Sequence, residues 1–260
     1  MKCSEIIHKL EELSPPSFAE DWDNVGLLAG RRDKEILRVA IAVDATEGVI
    51  NQAIEQQADM LITHHPLIFK AVKYINTDDF IGRRLIKLLQ NDISYYVMHT
   101  NFDIMGMADA AADEISLQNR RVLEVTYEDE IANEGIGRYG RLPRIMSMEE
   151  CAGYIKQIFA LEHVQVYGEL DAAVEKAAIS PGAGGDMISA ALDASVDVLI
   201  TGDIKHHEAL DAMEQGLMII DAGHFGLEKI FTPYMKEFFG REIPKISICN
   251  IKEQNPIRTV

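Results

Sequence analysis

Thr63-His64-His65-Pro66 sets two adjacent imidazoles directly after the apolar run Met60-Leu61-Ile62. Imidazole is the commonest side-chain ligand for a divalent metal. Other polar groups follow short apolar runs in the same way. His99-Thr100-Asn101-Phe102-Asp103 follows Tyr95-Tyr96-Val97-Met98, Asp203 and the pair His206-His207 follow Val198-Leu199-Ile200, and His224 follows Leu217-Met218-Ile219-Ile220. His224 and Glu228 are four apart, which on a helix puts both on one face with about 5–6 Å between their Cβ atoms. Asp103 stands four residues after His99, and its two carboxylate oxygens suit it to bridge a pair of cations. His64, His65, Asp103, His224 and Glu228 together mix nitrogen and oxygen donors without a thiolate, a set suited to hard or borderline divalent ions. Five ligands for two ions leave positions open for water, as in a catalytic site rather than a structural one. Hydroxide bridging two such ions would be a nucleophile near neutral pH.

Each of these residues also has a plainer reading. One imidazole of the His64-His65 pair could ligate while the other only orients it. Asp103 would serve as an N-cap or turn residue, and His224 with Glu228 as a polar pair at a helix start. Gly182, Gly184 and Gly185 precede a predicted helix, where backbone N–H groups could hold a phosphate of a substrate. That loop lacks the G-x-G-x-x-G spacing and the lysine of a P-loop, and a tight turn explains it as well. His8, on a helix, and His163, before a strand, read as surface residues.

The elements that must position these groups follow from periodicity. Ile6, Ile7, Leu10 and Leu13 mark a helix over 4–13, stopped by Ser14-Pro15-Pro16. Strands are expected at 39–43, 59–62 and 95–98, with helices over 47–58, 79–91 and 108–118 and a loop from His99 to Asp103. Residues 119–175 differ: strands at 122–127, 135–142 and 164–167 surround a helix opened by the capping-box pair Ser147 and Glu150. From 176 the first pattern returns, with strands at 176–179, 197–200 and 217–220, intervening helices, and a last helix that Pro233 should kink or split. Ala58-Asp59-Met60-Leu61-Ile62-Thr63 aligns with Val196-Asp197-Val198-Leu199-Ile200-Thr201, an internal pseudo-repeat. The expected fold is α/β: two similar lobes with mostly parallel sheets flanked by helices and a metal site at their interface. In such sheets, ligands bind at the C-terminal strand edge. The expected divisions are a first lobe over 1–118, connecting strands and helix over 119–175, and a second lobe over 176–260.

The bulk properties narrow the function. The 260 residues are 47% hydrophobic with a formal net charge of −17, which disfavours non-specific binding to nucleic acid or anionic lipid. No apolar run approaches the ~18 residues of a membrane span. Cys3, Cys151 and Cys249 form no Cys-x-x-Cys pair, so a disulfide framework is not expected and a cytoplasmic location is.

Taken jointly, Thr63-His64-His65-Pro66, His99 to Asp103 and Gly223-His224-Phe225-Gly226-Leu227-Glu228 resemble the Nif-three-like family. So do Trp22-Asp23-Asn24-Val25-Gly26-Leu27, Gly137-Arg138-Tyr139-Gly140, the glycines at 182–185 and Thr201-Gly202-Asp203 with His206-His207. Members of that family are often named GTP cyclohydrolase 1 type 2. The resemblance implies two divalent metal ions per subunit held by His64, His65, Asp103, His224 and Glu228. It also implies a toroidal homohexamer and, from the short 119–175 segment, a form without the inserted domain of longer members. The implied reaction is attack of metal hydroxide on C8 of the guanine of GTP with release of formate, or a related amide or phosphoester hydrolysis. His99, Asp203, His206 and His207 would then serve proton transfer or substrate contact. The competing reading is a non-enzymatic protein that binds or handles metal. Zinc, manganese, iron, cobalt and nickel all suit such ligands.

Overall fold

Val39-Ala40-Ile41-Ala42 is apolar at every position because both faces of its sheet are covered. The structure is a computed structural model that describes residues 1–128 and 132–258. The chain divides into two compact units, one of Met1–Phe102 with Phe231–Val260 and one of Asp103–Ile230.

The first unit opens with helix α1 (Cys3–Leu13), whose Ile6, Ile7 and Leu10 are buried. Strand β1 (Gly26–Ala29) follows, then β2 (Arg38–Ala42), helix α2 (Glu47–Glu55), β3 (Met60–Thr63), α3 (Phe80–Gln90) and β4 (Ser94–Val97). Thr46 caps α2 by accepting from Val49 N, and Asp79 caps α3 by accepting from Gly82 N. Strands β2, β3 and β4 lie parallel in sequence order, while β1 runs antiparallel to β4. Ile50, Leu61, Leu85, Leu88 and Tyr95 form the core between sheet and helices. A short helix α4 (Thr100–Phe102) closes this part of the chain.

The second unit begins with a π-helical turn, Asp103–Met107, that runs on into α5 (Ala108–Glu114). The long strands β5 (Gln118–Glu128) and β6 (Asn133–Ser147) pair antiparallel and lead to α6 (Met148–Ile158). Next come β7 (Gln165–Tyr167), β8 (Ala173–Ala183), α7 (Ile188–Asp193), β9 (Val198–Gly202), α8 (His206–Glu214), β10 (Met218–Asp221) and α9 (His224–Glu228). The sheet order is β5-β6-β8-β9-β10-β7, with β8, β9 and β10 parallel in sequence order. The chain then returns to the first unit through α10 (Phe231–Glu242) and β11 (Ser247–Ile248), which adds to the first sheet beside β2.

The α/β class, the two sheets with flanking helices and the repeated parallel trio agree with the sequence. Several details differ. In the second sheet only the β8-β9-β10 core is parallel; β5, β6 and β7 join antiparallel. Residues 119–175 are more than a connection, since β5 and β6 extend the second sheet through β8. The second lobe drawn over 176–260 loses its tail, because β11 hydrogen-bonds to β2. The stretch from His99 to Asp103 is helical from Thr100 onward, not a loop. The expected split in the last helix falls at Lys229-Ile230, and Pro233 sits in the first turn of α10, where its missing N–H breaks no helical bond. Among the described residues no helix is long and apolar enough to cross a membrane.

Candidate metal centre

The β2–β3 ladder continues past the end of β3: His64 N donates to Ala42 O (3.3 Å) and His65 N to Val43 O (2.9 Å). The turn behind the pair is pinned by buried hydroxyls. Thr63 Oγ1 donates to His65 O (2.8 Å), Tyr95 Oη lies 2.8 Å from Thr63 Oγ1, and Leu67 N donates to Tyr95 Oη (2.8 Å). Burial pushes the Tyr95 phenol up to about 12, so it stays a neutral strut.

His64, His65 and His99 of the first unit each have Nδ1 held by an oxygen. His64 Nδ1 is 2.8 Å from Met98 O, His65 Nδ1 is 2.9 Å from Asp44 Oδ1, and His99 Nδ1 is 2.8 Å from Asp23 Oδ1. A carbonyl can only accept, so His64 carries its proton on Nδ1 and keeps its Nε2 lone pair. This is the arrangement by which proteins orient metal-binding imidazoles. One ligand nitrogen from each of His64, His65 and His99 lies within 4.8 Å of the other two. His64 is fully buried, with its ring 5.5 Å from that of Phe231 and 6.5 Å from that of Phe102.

Asp23 is the most strongly determined of the supporting carboxylates. Its side chain is inaccessible to solvent, and burial alone would favour the neutral acid. Bonds from His99 Nδ1, Thr100 N (3.0 Å) and Thr100 Oγ1 (2.6 Å) outweigh that and hold its pKa at about 2. Asn101 ties the same segment down by accepting from His99 N (3.0 Å) and donating to Ser14 O (2.8 Å).

In the second unit His224 opens α9. Its Nδ1 is 2.9 Å from Asp203 Oδ2 and its Nε2 is 3.1 Å from Glu228 Oε1, a separation suited to two donors that share one ion. Glu228 is almost fully buried. Asp221, at the end of β10, accepts from Ile204 N (3.0 Å) and Gly223 N (2.9 Å) and so fixes the loops that carry Asp203 and His224. Gly182 has φ +86°, and a Cβ there would lie 2.8 Å from Glu228 Oε1. The absence of a side chain makes room for the carboxylate.

The structure thus brings His64, His65 and His99 together in one unit, and Asp203, His224 and Glu228 in the other. Asp103 opens the π-helical turn, a distortion frequent at functional sites. His206 and His207 start α8 and are exposed, their rings 5.2 Å apart. The glycines proposed to cradle a phosphate also have packing reasons. A Cβ at Gly184 would lie 2.0 Å from Thr201 Oγ1, and one at Gly185 would lie 2.7 Å from the Glu208 carboxylate, which would repel an anion. Asp23, Asp44 and Asp221 hold the site's side chains and loops, and the sequence singled out none of them as a candidate site residue. The signal for Asp44 and Asp221 was the one that singled out the histidines, a polar residue at a strand end.

The donor chemistry therefore fits a divalent ion: imidazoles oriented through Nδ1 and a buried carboxylate beside one of them. Comparison with known proteins agrees with the motifs. A Clostridium perfringens protein named GTP cyclohydrolase 1 type 2 homolog is 36% identical over 230 residues, which is 88% of this chain and 87% of that protein. The crystal structure of a Bacillus cereus protein related to NIF3 matches with TM-score 0.91 at 25% identity, covering 100% of this chain and 99% of that one. Reduced HcgD from Methanocaldococcus jannaschii matches with TM-score 0.82 at 33% identity, covering 95% of this chain and 96% of that one. The Duf34/NIF3 (NGG1p interacting factor 3) profile matches residues 1–256, and the chain belongs to that family.

Proposed function

We propose that this protein is a divalent-metal-dependent hydrolase that opens the guanine ring of GTP with release of formate, or cleaves a related amide or phosphoester. The observation that carries this reading is the common fixing of Nδ1 in His64, His65 and His224 by a carbonyl or carboxylate oxygen. That pattern readies Nε2 for a metal and has no purpose in a merely polar surface. The name of the Clostridium perfringens relative makes GTP the first substrate to test.

The proposed ligands are those that the motifs carry: His64, His65, Asp103, His224 and Glu228, for two ions. Bound divalent ions would supply an activated water near neutral pH and polarise the bond under attack. Asp44 and Asp203 would hold His65 and His224 in the ligating tautomer. His99 would accept a proton at Nε2 from the attacking water, the anionic Asp23 would stabilise the imidazolium so formed, and the imidazolium would then pass that proton to the leaving atom. Homohexameric assembly is proposed on the family resemblance.

The test starts from chelator-stripped protein reloaded with one defined ion at a time, with formate release from GTP as the signal. Wild type should release formate, and His64→Ala should lose the activity with its metal. His99→Gln should keep the metal and lose about 100-fold or more in rate. No turnover of GTP or of an amide and phosphoester panel with any ion, alongside tight and reversible metal exchange, would replace this reading with metal handling.

A further inference from the structure

A cavity of about 260 Å³ in the first unit is lined by Asp44, Thr46, His65, Phe69, Phe80 and Arg84, among others. It shares His65 with the imidazole cluster. Arg84, in the second turn of α3, has its guanidinium carbon 5.0 Å from the centre of the Phe80 ring. Its Nε is buried and has no hydrogen-bond partner among the described residues. A buried donor left in that state is unfavourable, and such groups in folded proteins are normally satisfied. The neighbouring charges are committed elsewhere. Asp44 accepts from His65 Nδ1 (2.9 Å), and Glu47 at the start of α2 is held by Lys87 Nζ (2.7 Å). Phe69 and Phe80, both about half exposed, give the pocket apolar walls.

We propose that this pocket is an oxyanion subsite of the histidine centre. Arg84 takes a phosphate or carboxylate oxygen of the bound molecule through Nε–H and an Nη–H, the planar fork that suits such groups. Phe69 and Phe80 flank its carbon skeleton. The assignment rests on reading His65 as part of a metal centre only in so far as the anchored molecule is the one processed there. The guanidinium site itself can be tested without metal.

Phenyl phosphate, inorganic phosphate and benzoate are titrated into chelator-treated protein at low salt, with binding read by NMR chemical-shift changes or calorimetry. Wild type should bind phenyl phosphate or benzoate, and phenyl phosphate more tightly than inorganic phosphate because of the aromatic walls. Arg84→Met should weaken binding about 10-fold or more, with at most a small fall in thermal midpoint, since Nε has no hydrogen bond to lose and the methionine side chain can still cover the Phe80 ring. Arg84→Lys keeps the charge without the fork and should fall between; it also carries the test if the methionine variant fails to fold. Equal binding by wild type and both variants, or no binding of any probe by wild type, overturns the subsite. Binding that depends on Arg84 in a protein without turnover removes the hydrolase reading and leaves the subsite. Turnover with KM and probe binding unchanged in Arg84→Lys removes the subsite alone.

Discussion

His64 Nδ1 meets a backbone carbonyl, whereas His65, His99 and His224 each meet a carboxylate. That difference separates what a side-chain substitution can reach. Asp44→Asn and Asp203→Asn retain an acceptor but lose the charge that raises imidazole basicity, so metal affinity should fall about 10- to 100-fold with the fold intact. Competition against a chromophoric chelator measures it, and unchanged affinity in both variants would mean these carboxylates do not serve a metal. Gly182→Ala meets both a positive φ of +86° and the Glu228 carboxylate at 2.8 Å. It should lower stability by about 1–3 kcal/mol in urea unfolding and weaken metal binding with it. A variant as stable as wild type would show that Glu228 can move aside freely. The histidines were legible in the sequence because each ends or follows an apolar run. The partners of His65 and His99 were not: Asp44 lies 21 residues from His65 and Asp23 lies 76 from His99. An aspartate after a strand is an ordinary turn residue until the fold brings an imidazole to it.

Helices with one buried stripe were the elements read best, because a 3.6-residue period survives in the sequence whatever the tertiary contacts. The capping box of α6 was visible too, and Ser147 Oγ does accept from Glu150 N (3.1 Å) while Glu150 Oε2 accepts from Ser147 N (3.0 Å). Ser147→Ala should cost about 1 kcal/mol in chemical unfolding; no change would show the cap to be redundant. Strand β1 was missed because its apolar run Leu27-Leu28-Ala29 is short, half-buried throughout and flanked by Gly26 and Gly30. The π-helical turn at Asp103 leaves no periodic trace at all. Glu253 gives the tail of the first unit a pH signature. Burial raises its pKa above 4.5 against the bonds from Val43 N (2.6 Å) and Thr232 Oγ1 (2.9 Å). The folded state then holds this proton more tightly than the unfolded chain. Its contribution to stability is complete below the unfolded value and is lost as pH rises through the folded one. Glu253→Gln removes that dependence, so its thermal midpoint should gain on wild type between about pH 4 and pH 7. A difference that stays constant or narrows across that range contradicts the assignment.

At the scale of the molecule, each unit is built on three parallel strands in sequence order, β2-β3-β4 and β8-β9-β10, with an antiparallel strand added at an edge. The repeat was legible because β3 and β9 share a nearly identical apolar core. The return of α10 and β11 to the first sheet was not, since Ser247↔Arg38 pairing joins residues far apart in the chain. Light scattering on a size-exclusion column should give six chain masses; a monomer would remove the proposed assembly. The central claim, that these imidazoles and carboxylates exist to hold divalent metal, is tested most directly by elemental analysis of protein purified without chelator or added metal. Wild type should carry about two divalent ions per chain, and His64→Ala and Glu228→Gln should each carry fewer than half as many. Wild-type protein that holds no metal, and whose thermal midpoint does not move when any of the five candidate ions is added, would contradict it.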